Sequence, residues 1–144
     1  MSSAPVLEIY SHTAEDISSS WLLEKANSVL DHCLAAKGTE VPVLGDLEEI
    51  EISLVDDEAI ADVHGQFLDD PTPTDVITFP HGEILVSVET AKNGGPEHGL
   101  SMREETLLYI IHGLLHLNGH TDLSEPERSA MHAEQERILR IALD

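Results

Sequence analysis

Side chains able to do chemistry gather in one short stretch, His112-Gly113-Leu114-Leu115-His116-Leu117-Asn118-Gly119-His120-Thr121-Asp122. Two histidines four apart in an apolar, helix-like run lie on one face, about one turn apart. Imidazoles so placed can share a metal ion. Asn118-Gly119 then reads as a helix stop, because these residues take the left-handed conformation at little cost. Beyond the stop, Asp122 offers a carboxylate to the same ion, and His120 is a rival third ligand. Three protein ligands with one position left open describe a catalytic zinc site, with one ion per chain. In the metalloprotease motif a glutamate follows the first histidine and serves as general base. Gly113 stands there instead. The general base is therefore not visible, and a standard peptidase is disfavoured. A glycine inside a helix costs about 1 kcal/mol relative to alanine, so something is expected to need the missing side chain.

The elements that must position this stretch can be read in chain order. Val6 to Tyr10 reads as a first strand. Residues 18–36 carry Trp21, Leu22, Ala26, Val29, Leu30, Cys33 and Leu34 at helical spacing behind capping serines. Gly38 and Pro42 close that helix. Glu49 to Leu54 alternates strictly, as a half-buried strand does. Asp56-Asp57 opens a short helix through Ile60 and Val63 toward Phe67, and residues 69–73 form a Pro/Asp turn. Thr74 to Phe79 and Glu83 to Val88 are predicted as an antiparallel hairpin across Pro80-His81-Gly82. Residues 89–97 are predicted helical. Ser101-Met102-Arg103-Glu104 is a capping box that launches the histidine helix, Met102 to Asn118. Its leucines and isoleucines cover more than one face, which predicts a central, buried helix. Ser124-Glu125-Pro126-Glu127 reads as a second capping box, opening a helix to about Ala142 with Met131, Ile138, Leu139 and Ile141 inward. The fold class expected is α+β: one small domain over residues 1–144, an approximately four-stranded mixed sheet, about five helices, and a central metal-binding helix.

Composition narrows the function classes. The chain holds 144 residues, enough for one domain with a core, and 28 acids against 7 bases give a net charge of −21. Such a charge argues against non-specific attraction to polyphosphate. Cys33 is the single cysteine, so an internal disulfide and a thiol metal cluster are excluded. Its apolar neighbours Val29, Leu30 and Leu34 predict a packed core thiol. No apolar run approaches the roughly 20 residues of a membrane-spanning helix. The segment Met1 to Pro5 lacks the basic and apolar regions of a signal peptide. A cytoplasmic location is expected.

Three segments together carry a resemblance: Pro73-Thr74-Asp75-Val76-Ile77-Thr78-Phe79-Pro80, Gly82-Glu83-Ile84, and His112 to Asp122. In order and spacing the chain resembles the bacterial YbeY family from about Glu51 to Leu139. That family comprises ribosomal RNA maturation factors described as single-strand-specific, metal-dependent endoribonucleases. The resemblance implies an α+β fold with the metal helix behind a small sheet. The family's third ligand is usually a histidine ten residues after the first; in this sequence that register falls on Asp122. His120 falls where the family often has tyrosine. Counting back from Thr74, the position of a family arginine implicated in function is occupied by Leu68, beside Phe67. An arginine holds phosphate in a bidentate fork, and leucine does not.

The expected function is zinc-dependent, single-strand endoribonuclease action in ribosomal RNA maturation and ribosome quality control. His112, His116 and Asp122 are the metal ligands in this reading. The ion would polarise a phosphoryl oxygen and acidify its bound water. Implied partners are ribosomal RNA and the small ribosomal subunit, with ribosomal proteins or a GTPase assembly factor, and no membrane. One alternative is a non-catalytic, metal-stabilised ribosome-assembly factor. Another is a metallohydrolase of a different substrate. Thr78, Ser87 and His120 are candidates to line the pocket, and Asp75 is read as a turn residue. Lys92 and Arg103 are the bases nearest the site in sequence and candidates to meet phosphate.

Overall fold

The strictly alternating segment of the sequence becomes an interior strand of a mixed sheet. The computed structural model describes residues 4–70, 72 and 74–144. Met1 to Ser3, and with them part of the N-terminal reading, lie outside the described residues, as do Pro71 and Pro73 of the expected turn. Along the chain come β1 (Val6–Ser11), α1 (Ser19–Ala35), β2 (Glu49–Val55), α2 (Asp57–Leu68), β3 (Val76–Phe79), β4 (Glu83–Ser87), α3 (Val88–Gly94), α4 (Met102–Leu117) and α5 (Glu125–Leu143). Short 3-10 turns occupy Leu44–Asp46 and Gly95–His98. The strand order is β1-β2-β4-β3. β2 runs parallel to β1 and β4, while β3 pairs antiparallel with β4 as the hairpin predicted. Gly82, at φ 105°, makes the hairpin turn.

The period-two pattern decides which helix meets which face. Ile50, Ile52 and Leu54 of β2 point the same way as Ile84 and Val86 of β4, and all are buried in the main core with α1 and α4. Val55, Ile77 and Leu85 join Ile60 of α2 in a smaller cluster. By register Thr78 lies opposite Ile84, so its side chain shares the face that meets α4. α4 is packed against α1, α3, α5, β3 and β4, and its residues from Glu105 to Leu117 are buried except His112 and His116, which are partly open. No helix of the described residues is long and apolar enough to cross a membrane.

Several sequence expectations shift at the edges. β3 begins at Val76 rather than Thr74: the Asp75 carboxylate accepts the Val76 N–H at 2.8 Å, at a bend just before the strand. The predicted helix over 89–97 starts at Val88 and tightens into a 3-10 turn where Gly94-Gly95-Pro96 interrupts it. The capping box at Ser101 is complete. The one at Ser124 is half made: Ser124 caps the Glu127 N–H, but the Glu127 carboxylate bonds the Thr121 and Thr39 hydroxyls instead of reaching back. Ile141 is 38% exposed, and Ala142 takes the inward position in the last turn of α5.

Candidate metal centre and flanking clefts

Gly113 explains how closely α4 lies on the sheet. A Cβ at that position would stand 2.9 Å from Ile84 Cγ2, 3.0 Å from Ile84 Cδ1 and 3.2 Å from Thr78 Oγ1. The missing side chain is thus a packing requirement of the helix–sheet contact, and it sits between the two histidines. The helix stop expected at Asn118-Gly119 is a Schellman motif: Gly119 N–H donates to the His116 carbonyl at 3.1 Å and His120 N–H to the Leu115 carbonyl at 3.0 Å. Gly119 adopts φ 95°. A Cβ on it would strike the Glu40 carbonyl oxygen at 2.4 Å, so the segment after α1 also demands glycine there. The Asn118 amide donates to the carbonyls of Cys33, Leu34 and Ala36, closing the C-terminal end of α1.

The two histidine rings stand 4.7 Å apart between centroids, nearly perpendicular. His116 Nδ1 lies 3.0 Å from the His120 carbonyl oxygen, which only accepts, so Nδ1 carries the proton. His112 Nδ1 lies 2.8 Å from Gln135 Oε1, an amide oxygen that likewise accepts. In the neutral form both rings therefore present Nε2 as the unprotonated nitrogen. Metal-ligating histidines typically have their other ring nitrogen fixed by an acceptor in this way. Burial, and secondarily the neighbouring His112, hold the His116 pKa below the usual imidazole value, favouring the neutral ring a metal requires.

The remaining candidates are placed differently. His120 is buried, and its Nε2 donates to the Ala36 carbonyl at 2.9 Å, so its ring helps to anchor the loop to α1. Asp122 is exposed, and its backbone carbonyl accepts from Arg128 at 3.2 Å. Among the described residues no group of three His, Cys, Asp or Glu side chains is close enough together to hold a metal. The structure thus pairs His112 with His116 and does not bring a third ligand to them. Two imidazole Nε2 atoms one turn apart are nitrogen donors of the type zinc takes, and the exposed Asp122 is the carboxylate nearest in sequence on the loop that follows.

The histidines mark the boundary between two clefts. His116 lines one of about 330 Å³ with Thr78, Pro80, Val43 and Val76. Thr78 Oγ1 is buried there without a hydrogen-bond partner, a polar atom aimed at the same helix face. His112 lines a larger cleft of about 730 Å³, walled by α4 and α5, which also takes in Asp75, Glu105, Tyr109, Gln135 and Arg140. Glu105 is fully buried, and both its oxygens lie 3.0 Å from His98 Nδ1. That contact raises the His98 pKa above its ordinary value.

Other sequence expectations resolve into structural roles. Ser87 is buried, caps α3 and donates to Asp57 at 2.5 Å, outside both clefts. Asp75 is the turn residue expected, though it also borders the larger cleft. The two bases nearest the site in sequence are not at it: Lys92 pairs with Glu15 at 2.7 Å and Arg103 lies over the Trp21 ring at 4.3 Å. Cys33 is a core thiol, pushed up to about 12 by burial. Leu68 ends α2 on the surface, 57% exposed. Sequence reasoning missed Gln135 and Arg140. Gln135 had a signal, since it interrupts the inward stripe Met131, Ile138, Ala142 at a helical position.

The family model described as Endoribonuclease YbeY matches residues 9–142. A protein named endoribonuclease YbeY from Synechococcus sp. is 33% identical over 69% of this chain and 71% of its own length. Another of that name from Rhodopirellula baltica is 41% identical over 60% of this chain, which spans half the relative's length. The solution structure of TM1509 from Thermotoga maritima superposes with a TM-score of 0.63 at 26% identity, covering 95% of this chain and 89% of that one.

Proposed function

This chain belongs to the endoribonuclease YbeY family, and from that premise we propose that it is a zinc-dependent endoribonuclease cutting single-stranded RNA in ribosomal RNA maturation and ribosome quality control. The observation that carries the metal part of this reading is the pair of fixed tautomers. Gln135 and the His120 carbonyl hold the Nδ1 protons of His112 and His116, leaving two Nε2 lone pairs one helical turn apart. His112, His116 and Asp122 would hold the ion, with Asp122 brought in from its exposed loop. Bound there, zinc would act as a Lewis acid toward a phosphoryl oxygen and acidify a water ligand. The chain's own residues supply the rest. α4 fixes both imidazoles on a rigid element, because Gly113 lets it lie directly on Ile84. The Schellman turn folds the chain back so that the His120 carbonyl meets the His116 ring. Thr78 offers a hydroxyl beside His116 for a polar group of the substrate or its water.

The setting proposed is the cytoplasm, with the small ribosomal subunit, ribosomal proteins or a GTPase assembly factor as partners. A net charge of −21 repels bulk polyphosphate, so a partner that delivers RNA to the site suits this chain better than capture of free RNA. The exposed Leu68, lacking a guanidinium, favours a second reading as a non-catalytic assembly factor. The test incubates purified protein with single-stranded and duplex RNA of the same sequence, with and without chelator. Cleavage of the single strand that chelator abolishes and zinc restores supports the enzyme. Tight, salt-sensitive binding to ribosomal subunits without any cleavage supports the assembly factor.

A further inference from the structure

Among the described residues, Arg140 is the one Lys or Arg side chain that lines either cleft. The chain has seven Lys and Arg residues. Lys92, Arg128 and Arg137 are each in an ion pair at 2.7–2.8 Å with Glu15, Glu125 and Glu134. Arg103 and Lys25 lie over the Trp21 ring. Lys37 lines neither cleft. Arg140 lines the cleft shared with His112, and among the described residues it has no carboxylate within ion-pair distance. Three acids line the same cleft: Glu105 is engaged with His98, Asp75 with the Val76 N–H, and Glu136 stands one turn before Arg140 on α5 without coming within ion-pair distance of it. The same cleft has an apolar side of Leu108, Tyr109, Leu139 and Leu143.

We propose that this cleft is a nucleotide subsite in which Arg140 holds a phosphate next to the scissile one and the apolar side receives the attached base. The proposal rests on the endoribonuclease reading for the identity of the ligand. A planar guanidinium grips phosphate through two parallel N–H bonds. Aromatic and aliphatic surfaces accept any base, as sequence-tolerant single-strand binders require. His112 and Arg140 border one cleft, so a strand whose scissile phosphate is at the histidines would run along α5 past Arg140. In this chain Arg140 does the phosphate-holding work that Leu68 leaves undone.

The test measures binding separately from cleavage. A fluorescein-labelled, single-stranded phosphorothioate RNA is titrated with zinc-loaded protein by anisotropy over a range of salt. Arg140→Gln should weaken binding about tenfold at low salt, as expected for a lost charge-assisted bond. The slope of log Kd against log salt should fall by about 0.7, the amount for one phosphate contact on a single strand. Arg140→Lys should keep the slope and recover part of the affinity. Arg137→Gln, at a cation engaged with Glu134 and outside both clefts, should change neither. An unchanged slope and affinity in Arg140→Gln overturns the proposal, as does a wild type that does not bind the probe. Wild type that binds RNA through Arg140 and never cleaves it leaves the subsite standing and removes the enzymatic reading.

Discussion

Replacing Gln135 with leucine should loosen metal binding and leave the fold intact. The amide oxygen of Gln135 lies 2.8 Å from His112 Nδ1 and fixes the tautomer that leaves Nε2 as the lone-pair donor. Partners of ligating histidines are worth about 10–100-fold in metal affinity, which is about 1.4–2.7 kcal/mol. Leucine fills nearly the same volume and joins Leu108 of α4 and Leu139, one turn on in α5, in the lining of the cleft, so packing is kept. Gln135→Glu should act in the opposite direction, because a carboxylate acceptor makes the imidazole more basic. Zinc affinity is measured by competition with a chromophoric chelator, and the tautomer of His112 by nitrogen NMR on metal-free protein. The expected order of affinity is Glu above Gln above Leu, with His112 losing its single tautomer in the leucine variant. Wild-type affinity together with a wild-type tautomer in Gln135→Leu would refute the reasoning.

Asp122→Ala should weaken zinc binding far more than His120→Ala. His120→Ala should instead lower thermal stability by about 1 kcal/mol, the net worth of its bond to the Ala36 carbonyl, which keeps its bond from the Asn118 amide; elemental analysis and melting curves separate the two. Leu68→Arg should raise cleavage of single-stranded RNA without altering zinc content or melting temperature, because the position is on the surface; a stable variant with unchanged activity would count against the missing-arginine argument. Gly113→Ala gains about 1 kcal/mol of helix propensity, but forces a Cβ to 2.9 Å from Ile84 at an overpacking cost of about 1–3 kcal/mol; the melting temperature should fall. His98 has its pKa raised by Glu105, so the contact stabilises the fold fully below the ordinary imidazole value and is lost as pH rises through the raised one; a proton NMR titration should find the elevated value, and Glu105→Gln should return it to the usual range.

Most of the scaffold was legible in the sequence because its signals are local. Ile50, Ile52 and Leu54 alternate within one strand, Ser101 and Glu104 cap one helix turn, and Asn118-Gly119 stops another. Gly113 was legible as a demand for a missing side chain, but the source of the demand, Ile84 and Thr78, lies on strands about thirty residues away. The half-made cap at Ser124 failed for the same kind of reason: Glu127 was drawn to Thr121 and to Thr39 across the fold. Lys92 and Arg103 are near the histidines in sequence but line neither cleft, being held by Glu15 and the Trp21 ring, as the surface charges the sequence also allowed. Arg140 and Gln135 reach the site from α5, whose packing on α4 no local pattern encodes.

The measurement that bears most directly on the account is a zinc titration of metal-free protein read out by single-stranded RNA cleavage. The initial rate should rise linearly with added zinc and reach a plateau at one equivalent per chain, and the His112→Ala and His116→Ala proteins should stay flat. Cleavage by the metal-free chain, or a rate in either histidine variant that follows the wild-type titration, would contradict it.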